Sequence, residues 1–162
     1  MKALQLVTFH RDRDGKEVRF EMPDESEGTQ RLIDLLPAFF ELSSPETEKV
    51  FFIDELERSL HTHLTRGLLE SFLQSRTSQS RGQLLFTTHD ALLLDQDLLR
   101  RDEIWFLDKD DQGCSSLAAL SDFKGVRNDK DIRKSYLLGR FGGVPPMRSL
   151  PRRMMETTTH SL

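Results

Sequence analysis

Cysteine, tryptophan and tyrosine each occur once in the 162 residues. The lone Cys114 excludes an internal disulfide and a cysteine-based zinc site. No apolar run approaches the ~20 residues a membrane-spanning helix needs. The opening MKALQLVTFHRD has neither the apolar h-region nor the small-residue cleavage site of a secretory leader. These absences predict a cytoplasmic protein with no membrane partner. An excess of one charge is lacking too: 23 basic and 27 acidic side chains leave a net −4, which makes no general case for nucleic-acid or membrane binding. Basic residues thicken in FKGVRNDKDIRKSYLLGRF and MRSLPRRMM, but acids interrupt the first and the second sits in a terminal stretch. They read as a solvated face and a tail. What is abundant is charge, 31% of residues, over a modest apolar share of 36%. The length allows one domain with a core, expected over residues 1–146, with a disordered tail over 147–162.

Residues 3–22, ALQLVTFHRDRDGKEVRFEM, alternate apolar with polar on both sides of Asp14-Gly15, which predicts a β-hairpin. MPDESEGTQ is a loop. In TQRLIDLLPAFFEL, Leu32, Leu35, Leu36 and Phe39 recur at helical spacing until Pro37 disturbs it. A βαβαβ pattern follows. VFFI reads as a strand buried on both faces, as in a parallel sheet. LHTHLTRGLLESFLQS places Leu60, Leu64, Leu68 and Phe72 on one helix face, and LLFTT is a second buried-type strand. His89-Asp90 is expected to open a helix through ALLLDQDLL, before a third strand in EIWFLDKD. CSSLAAL can hairpin back around DQGC, and a last helix is expected from about Asp129 to Leu138. The fold class is therefore α/β, with parallel central strands behind an N-terminal hairpin.

In such sheets the chemistry sits at the carboxyl ends of the strands. Two ends carry reactive residues: Asp54-Glu55 after VFFI, and Thr88-His89-Asp90 after LLFT. An acid at such a tip can hold the Mg²⁺ that bridges nucleotide phosphates, and a second can orient and deprotonate the attacking water. Acids there can equally cap the following helix, and on Asp54 and Glu55 alone both readings stand. A histidine at the neighbouring tip, able to bond a γ-phosphate or that water, moves the balance to the functional reading. Ser26, Glu27 and Gly28 lie just before a helix, where free N–H groups bind anions, although a plain N-cap by Ser26 or Thr29 explains them as well.

Taken in order, SEGTQRL, VFFIDELERSLH and LLFTTHD resemble the C-terminal part of an ABC-type ATPase domain. The nearest likeness is to the stand-alone AAA15/AAA-21 group, related to SMC-like and overcoming-lysogeny-defect ATPases. That resemblance implies a partial P-loop NTPase lobe binding ATP and Mg²⁺. Ser26, Glu27, Gly28 and Thr29 match its signature motif, with Glu27 departing from the usual first glycine. Val50 to Glu55 match Walker B, with Asp54 for the metal and Glu55 as general base. Ser59 falls in the D-loop and His89 matches the switch histidine. SYLLGRFGGVPP is similar to a terminal segment of the group.

A phosphate loop, G-x-x-x-x-G-K-S/T, is missing from these residues. The one Gly-Lys pair, Gly15-Lys16, has His10 where the first glycine belongs and Glu17 after the lysine, in a hairpin turn. The phosphate grip would have to come from a partner chain carrying that loop or from a segment outside this sequence, whether in a homodimer-like assembly or a split ATPase. By analogy the work would concern DNA or anti-phage defence, beside a nuclease partner. Two alternatives remain. One is a non-catalytic module that docks on a complete ATPase. The other is a Mg²⁺ nuclease built on Asp108, Asp110 and Asp111, although DKDDQG reads more simply as a charged turn. His61 and His63 are expected about 200° apart on a helix, too far to share an ion.

Overall fold

The computed structural model describes residues 5–126 and 131–144. The tail expected from residue 147 and the start of the last expected helix, Asp129 and Lys130, lie outside the described residues. Contacts group the chain into two units, Met1–Leu98 and Leu99–Leu162.

The first unit opens on the expected hairpin. Strands β1 (Val7–Arg11) and β2 (Glu17–Glu21) pair antiparallel, with Arg11 opposite Glu17. Asp12 makes the turn by accepting the amides of Asp14 and Lys16 at 2.9 Å, and Gly15 takes the positive φ of +78°. Gly15-Lys16 is thus part of a hairpin turn. The Thr8 hydroxyl and the His10 ring both reach the Glu25 carboxylate, fastening β1 to the loop that follows. The His10 hydrogen bond, then that of Thr8, hold the Glu25 carboxyl below its ordinary pKa.

Helix α1 (Glu27–Ser43) is capped by Ser26, whose Oγ accepts from the Thr29 amide at 3.1 Å. The helix runs through Pro37 instead of ending there. Pro37 is exposed, so the carbonyl it leaves without a partner can be hydrated, while Leu35, Phe39 and Leu42 stay buried on the opposite face. Strand β3 (Val50–Ile53), helix α2 (Thr62–Gln74) and strand β4 (Gln83–Phe86) form a βαβ unit, with β3 and β4 parallel and Ile53 opposite Phe86. Arg76, just past α2, donates to the carbonyls of Leu42 and Gly82 and lies over the Phe72 ring. Gly82 is needed there, because a Cβ would sit 2.6 Å from Thr47 Cγ2.

Four further expectations are corrected in this unit. The β3–β4 pair is not buried on both faces: Val50, Phe52 and Leu85 are 58%, 69% and 48% exposed. With two strands hydrogen-bonded and the inward residues alternating, one face is left uncovered. Helix α2 begins at Thr62, not Leu60, and buries Thr65 and Leu69 while Leu64 is exposed. His61 is its N-cap, and that off-helix backbone brings the His61 and His63 rings into a stack 5.2 Å apart, not to opposite sides. The helix expected after Asp90 is a single 3-10 turn, Ala91–Leu93. Asp90 caps it, and the Asp95 carboxylate ties the next turn by accepting the Asp97 amide and pairing with Arg66. These side chains offer the backbone partners that compete with helical bonds.

In the second unit β5 (Trp105–Lys109) was expected to extend a parallel sheet. It pairs antiparallel with β6 (Ser115–Ala119), as the hairpin reading around DQGC anticipated. Phe106 is the inward residue, packed with Phe123, Tyr136 and Phe141 at 5.0–6.1 Å between centroids, whereas Trp105 is exposed. Helix α3 (Ile132–Leu137) is capped by Asp131. Beyond it, Tyr136 OH donates to the Gly143 carbonyl, and a Cβ on Gly143 would lie 3.0 Å from the Leu107 carbonyl. Among the described residues no helix is long and apolar enough to cross a membrane. Over those residues the fold is mixed α/β with three two-stranded sheets.

Leu69→Ala, at a fully buried position, should cost roughly 2–5 kcal/mol, whereas Phe52→Ser on the open face should change stability by less than about 0.5 kcal/mol; urea titrations followed by far-ultraviolet circular dichroism compare the two. A carboxyl depressed on folding adds stability above its unfolded-state pKa and loses it as pH falls through the folded one. Acidification through the carboxylate range should therefore loosen the β1–β2 hairpin, read as lower amide protection factors at His10 and Val18, and Glu25→Gln should flatten that dependence.

Candidate functional site

The parallel register of β3 and β4 brings the two suspected strand ends side by side. The Thr87 amide donates to the Ile53 carbonyl at 3.0 Å, extending the ladder one residue past β4. Thr87 therefore stands beside Asp54. Its hydroxyl accepts from the Glu55 amide at 2.8 Å and donates to Asp54 Oδ1. The direction is fixed, since an amide can only donate and an ionised carboxylate can only accept. Thr87 also accepts the Leu56 amide on its own carbonyl, at 3.0 Å, and Leu56 is fully buried beneath the turn.

Glu55 has φ of +47°, a left-handed conformation unusual for a residue with a side chain. From there its carboxylate reaches His89, with Oε1 3.4 Å from Nε2. His89 is held from behind: its amide donates to Glu57 Oε1 at 2.7 Å, leaving the ring 83% exposed. Asp54, Glu55 and His89 thus meet at one end of the parallel pair.

The loop at the start of α1 forms a second cluster. Ser26 is occupied as the N-cap and its hydroxyl also bonds that of Thr29, at 2.9 Å. Ser59, itself left-handed at φ +61°, donates to Glu27 Oε2 at 3.3 Å. Gly28 lies so close that a Cβ would meet the Ser59 carbonyl oxygen at 2.9 Å. Ser26, Glu27, Gly28, Thr29 and Ser59 are accordingly brought together. Glu27, Gln30, Arg31, Asp34, Arg58 and Ser59 line an open cleft of about 360 Å³. Arg31 joins the clusters, donating from Nη2 to the carbonyls of Asp54 and Glu55 at 3.3 and 3.1 Å.

Thr87 and Arg31 were not singled out from the sequence. Thr87 lies inside the quoted TTHD stretch, but only strand register shows that it faces Asp54. The acids of β5 do not form a comparable centre: Asp110 Oδ1 accepts the amides of Gln112 and Cys114, so it builds the hairpin turn. Among the described residues no three His, Cys, Asp or Glu side chains group as metal ligands.

A family model described as "AAA domain, putative AbiEii toxin, Type IV TA system" (AAA_21) matches residues 2–95, more than half of the 162. The match spans both clusters, His89 included. No curated protein matches the chain.

Gly28→Ala should push the first turn of α1 off the Ser59 carbonyl, because the obstructing atom is backbone. The expected loss is about 1–3 kcal/mol of stability, and unfolding should be accompanied by changed amide shifts at Ser59 and Leu60 in nuclear magnetic resonance spectra.

Proposed function

The chain belongs to this AAA domain family, and on that premise we propose that it hydrolyses ATP as the back half of an ABC-type ATPase. The family's domains generally bind nucleotide and Mg²⁺. The observation that carries the reading is the approach of Glu55 to His89 at 3.4 Å, beside an Asp54 already oriented by Thr87.

Asp54 suits a magnesium ion. One of its oxygens is engaged by Thr87, and among the described residues no hydrogen bond occupies the other. Mg²⁺ characteristically takes one or two carboxylates and completes its octahedron with water and phosphate. Bound there with nucleotide, it would neutralise charge developing on the phosphates. Glu55 is the general base, orienting a water and taking its proton; the neighbouring imidazole can steady that water or donate to a γ-phosphate oxygen. The left-handed backbone at Glu55 keeps the carboxylate exposed and directed at His89. Glu27 and Ser59 line the cleft from which a second polypeptide could approach.

The phosphates need a cradle of backbone N–H groups and a lysine. The sequence contains no G-x-x-x-x-G-K-S/T, so the reading requires that loop from a partner or from residues outside these 162. The open apolar face of β3–β4 also favours a second reading, a non-catalytic module docked on a complete ATPase. The toxin in the family's description is consistent with a role in defence, where such an ATPase would act beside a nuclease or on DNA.

Mixed with a polypeptide that bears the phosphate loop, the chain should hydrolyse Mg²⁺-ATP, and Glu55→Gln should lower kcat at least about 100-fold. Asp108→Ala should leave turnover unchanged. Turnover by the Glu55→Gln variant equal to that of the wild type would establish the docking module instead.

A further inference from the structure

We infer that Arg31 is a positioning residue that holds Glu55 in its left-handed conformation. Every peptide group around Glu55 is tied. Its amide goes to Thr87 Oγ1 at 2.8 Å, and the next amide, of Leu56, goes to the Thr87 carbonyl. The two carbonyls, of Asp54 and Glu55, converge on one Arg31 nitrogen, and that of Glu55 also accepts the Arg58 amide at 3.0 Å. In an extended chain successive carbonyls point to opposite sides. A single donor can serve both only if the peptide between them is turned, as the φ of +47° at Glu55 turns it.

A left-handed residue that is not glycine persists only when its surroundings over-determine it. Thr87 takes the two amides, and the Arg58 amide reaches the Glu55 carbonyl alone. Arg31 adds the one donor shared by both carbonyls, and it is charge-assisted, the stronger kind of hydrogen bond. Its side chain is half-buried along the open cleft, with Nε buried and lacking a hydrogen-bond partner among the described residues. The residue does not contact the Glu55 carboxylate in these bonds, only the backbone that aims it. Arg31 lies one turn into α1, beyond the Gly28–Ser59 contact. It therefore mechanically joins the loop at the start of α1 to the acid. Its effect on hydrolysis rests on the reading of Glu55 as the base; the backbone tether does not.

A double-mutant cycle separates the two. Glycine adopts positive φ without strain, so it needs no tether. Arg31→Met should lower the urea midpoint clearly in the wild type and by less than half as much in a Glu55→Gly background. Equal shifts in both backgrounds overturn the inference. Should Arg31→Met not fold, Arg31→Lys, which keeps the charge and stem but loses the fork, carries the same cycle. The three-bond amide–α coupling of Glu55 in Arg31→Lys should also move away from the wild-type value, and an unchanged coupling counts against the tether. In the Mg²⁺-ATP mixture Arg31→Lys should lower kcat about 10- to 100-fold with KM unchanged. A wild-type mixture that does not hydrolyse ATP would sink the base reading, while the cycle and the coupling still decide the tether.

Discussion

The Thr87 hydroxyl carries one proton and two obligations, and the site is arranged around that constraint. Giving the proton to Asp54 leaves the lone pairs for the Glu55 amide, so one side chain from β4 orders the carboxylate and the backbone of the two acids at the end of β3. The arrangement depends on β3 and β4 being parallel with Ile53 opposite Phe86. A register slip of one residue would turn Thr87 to the other face of the pair and separate the strand ends that bring Glu55 to His89.

Backbone packing completes what that hydroxyl begins. Two residues with side chains, Glu55 and Ser59, take positive φ within one short turn. Leu56 between them is fully buried, so the turn is pinned from below by apolar packing and from the side by hydrogen bonds. Gly28 lets the first turn of α1 approach the Ser59 carbonyl at a distance no other residue permits. Stress at this turn is thus shared by α1, β3 and β4. That concentration of local strain at one place, while the rest of the unit is regular, is characteristic of sites where geometry matters more than stability.

The uncovered face of β3–β4 has a different origin. Val50, Phe52 and Leu85 alternate with the inward Phe51, Ile53 and Leu84, and no third strand pairs with these two among the described residues. Exposed apolar area of this kind gives up the roughly 25 cal/mol per Å² that burial returns. In the second unit Phe123, Tyr136 and Phe141 pack against the inward Phe106, while the alternating Trp105, Leu107 and Leu117 are left exposed in the same way.

The alternation around Asp14-Gly15, the helical spacing of Leu35 and Phe39, and the positions of the acids, the histidine and the Ser26–Thr29 loop at element ends were legible in the sequence, since each depends on neighbours a few residues away. Where sequence reasoning went astray, longer contacts decided. Pro37 did not stop α1 because its exposed side could be hydrated, and VFFI looked buried on both faces because an apolar run does not reveal how many strands cover it. His61 left the helix that would have kept it from His63. Thr87 and Arg31 stood in plain view among the motifs without distinction. The residue types alone determined that this chain carries an acid pair and a histidine at strand ends; only the tertiary structure decided which hydroxyl and which guanidinium aim them, because a hydrogen bond across 24 or 33 positions depends on strand register and helix placement, which local sequence does not encode.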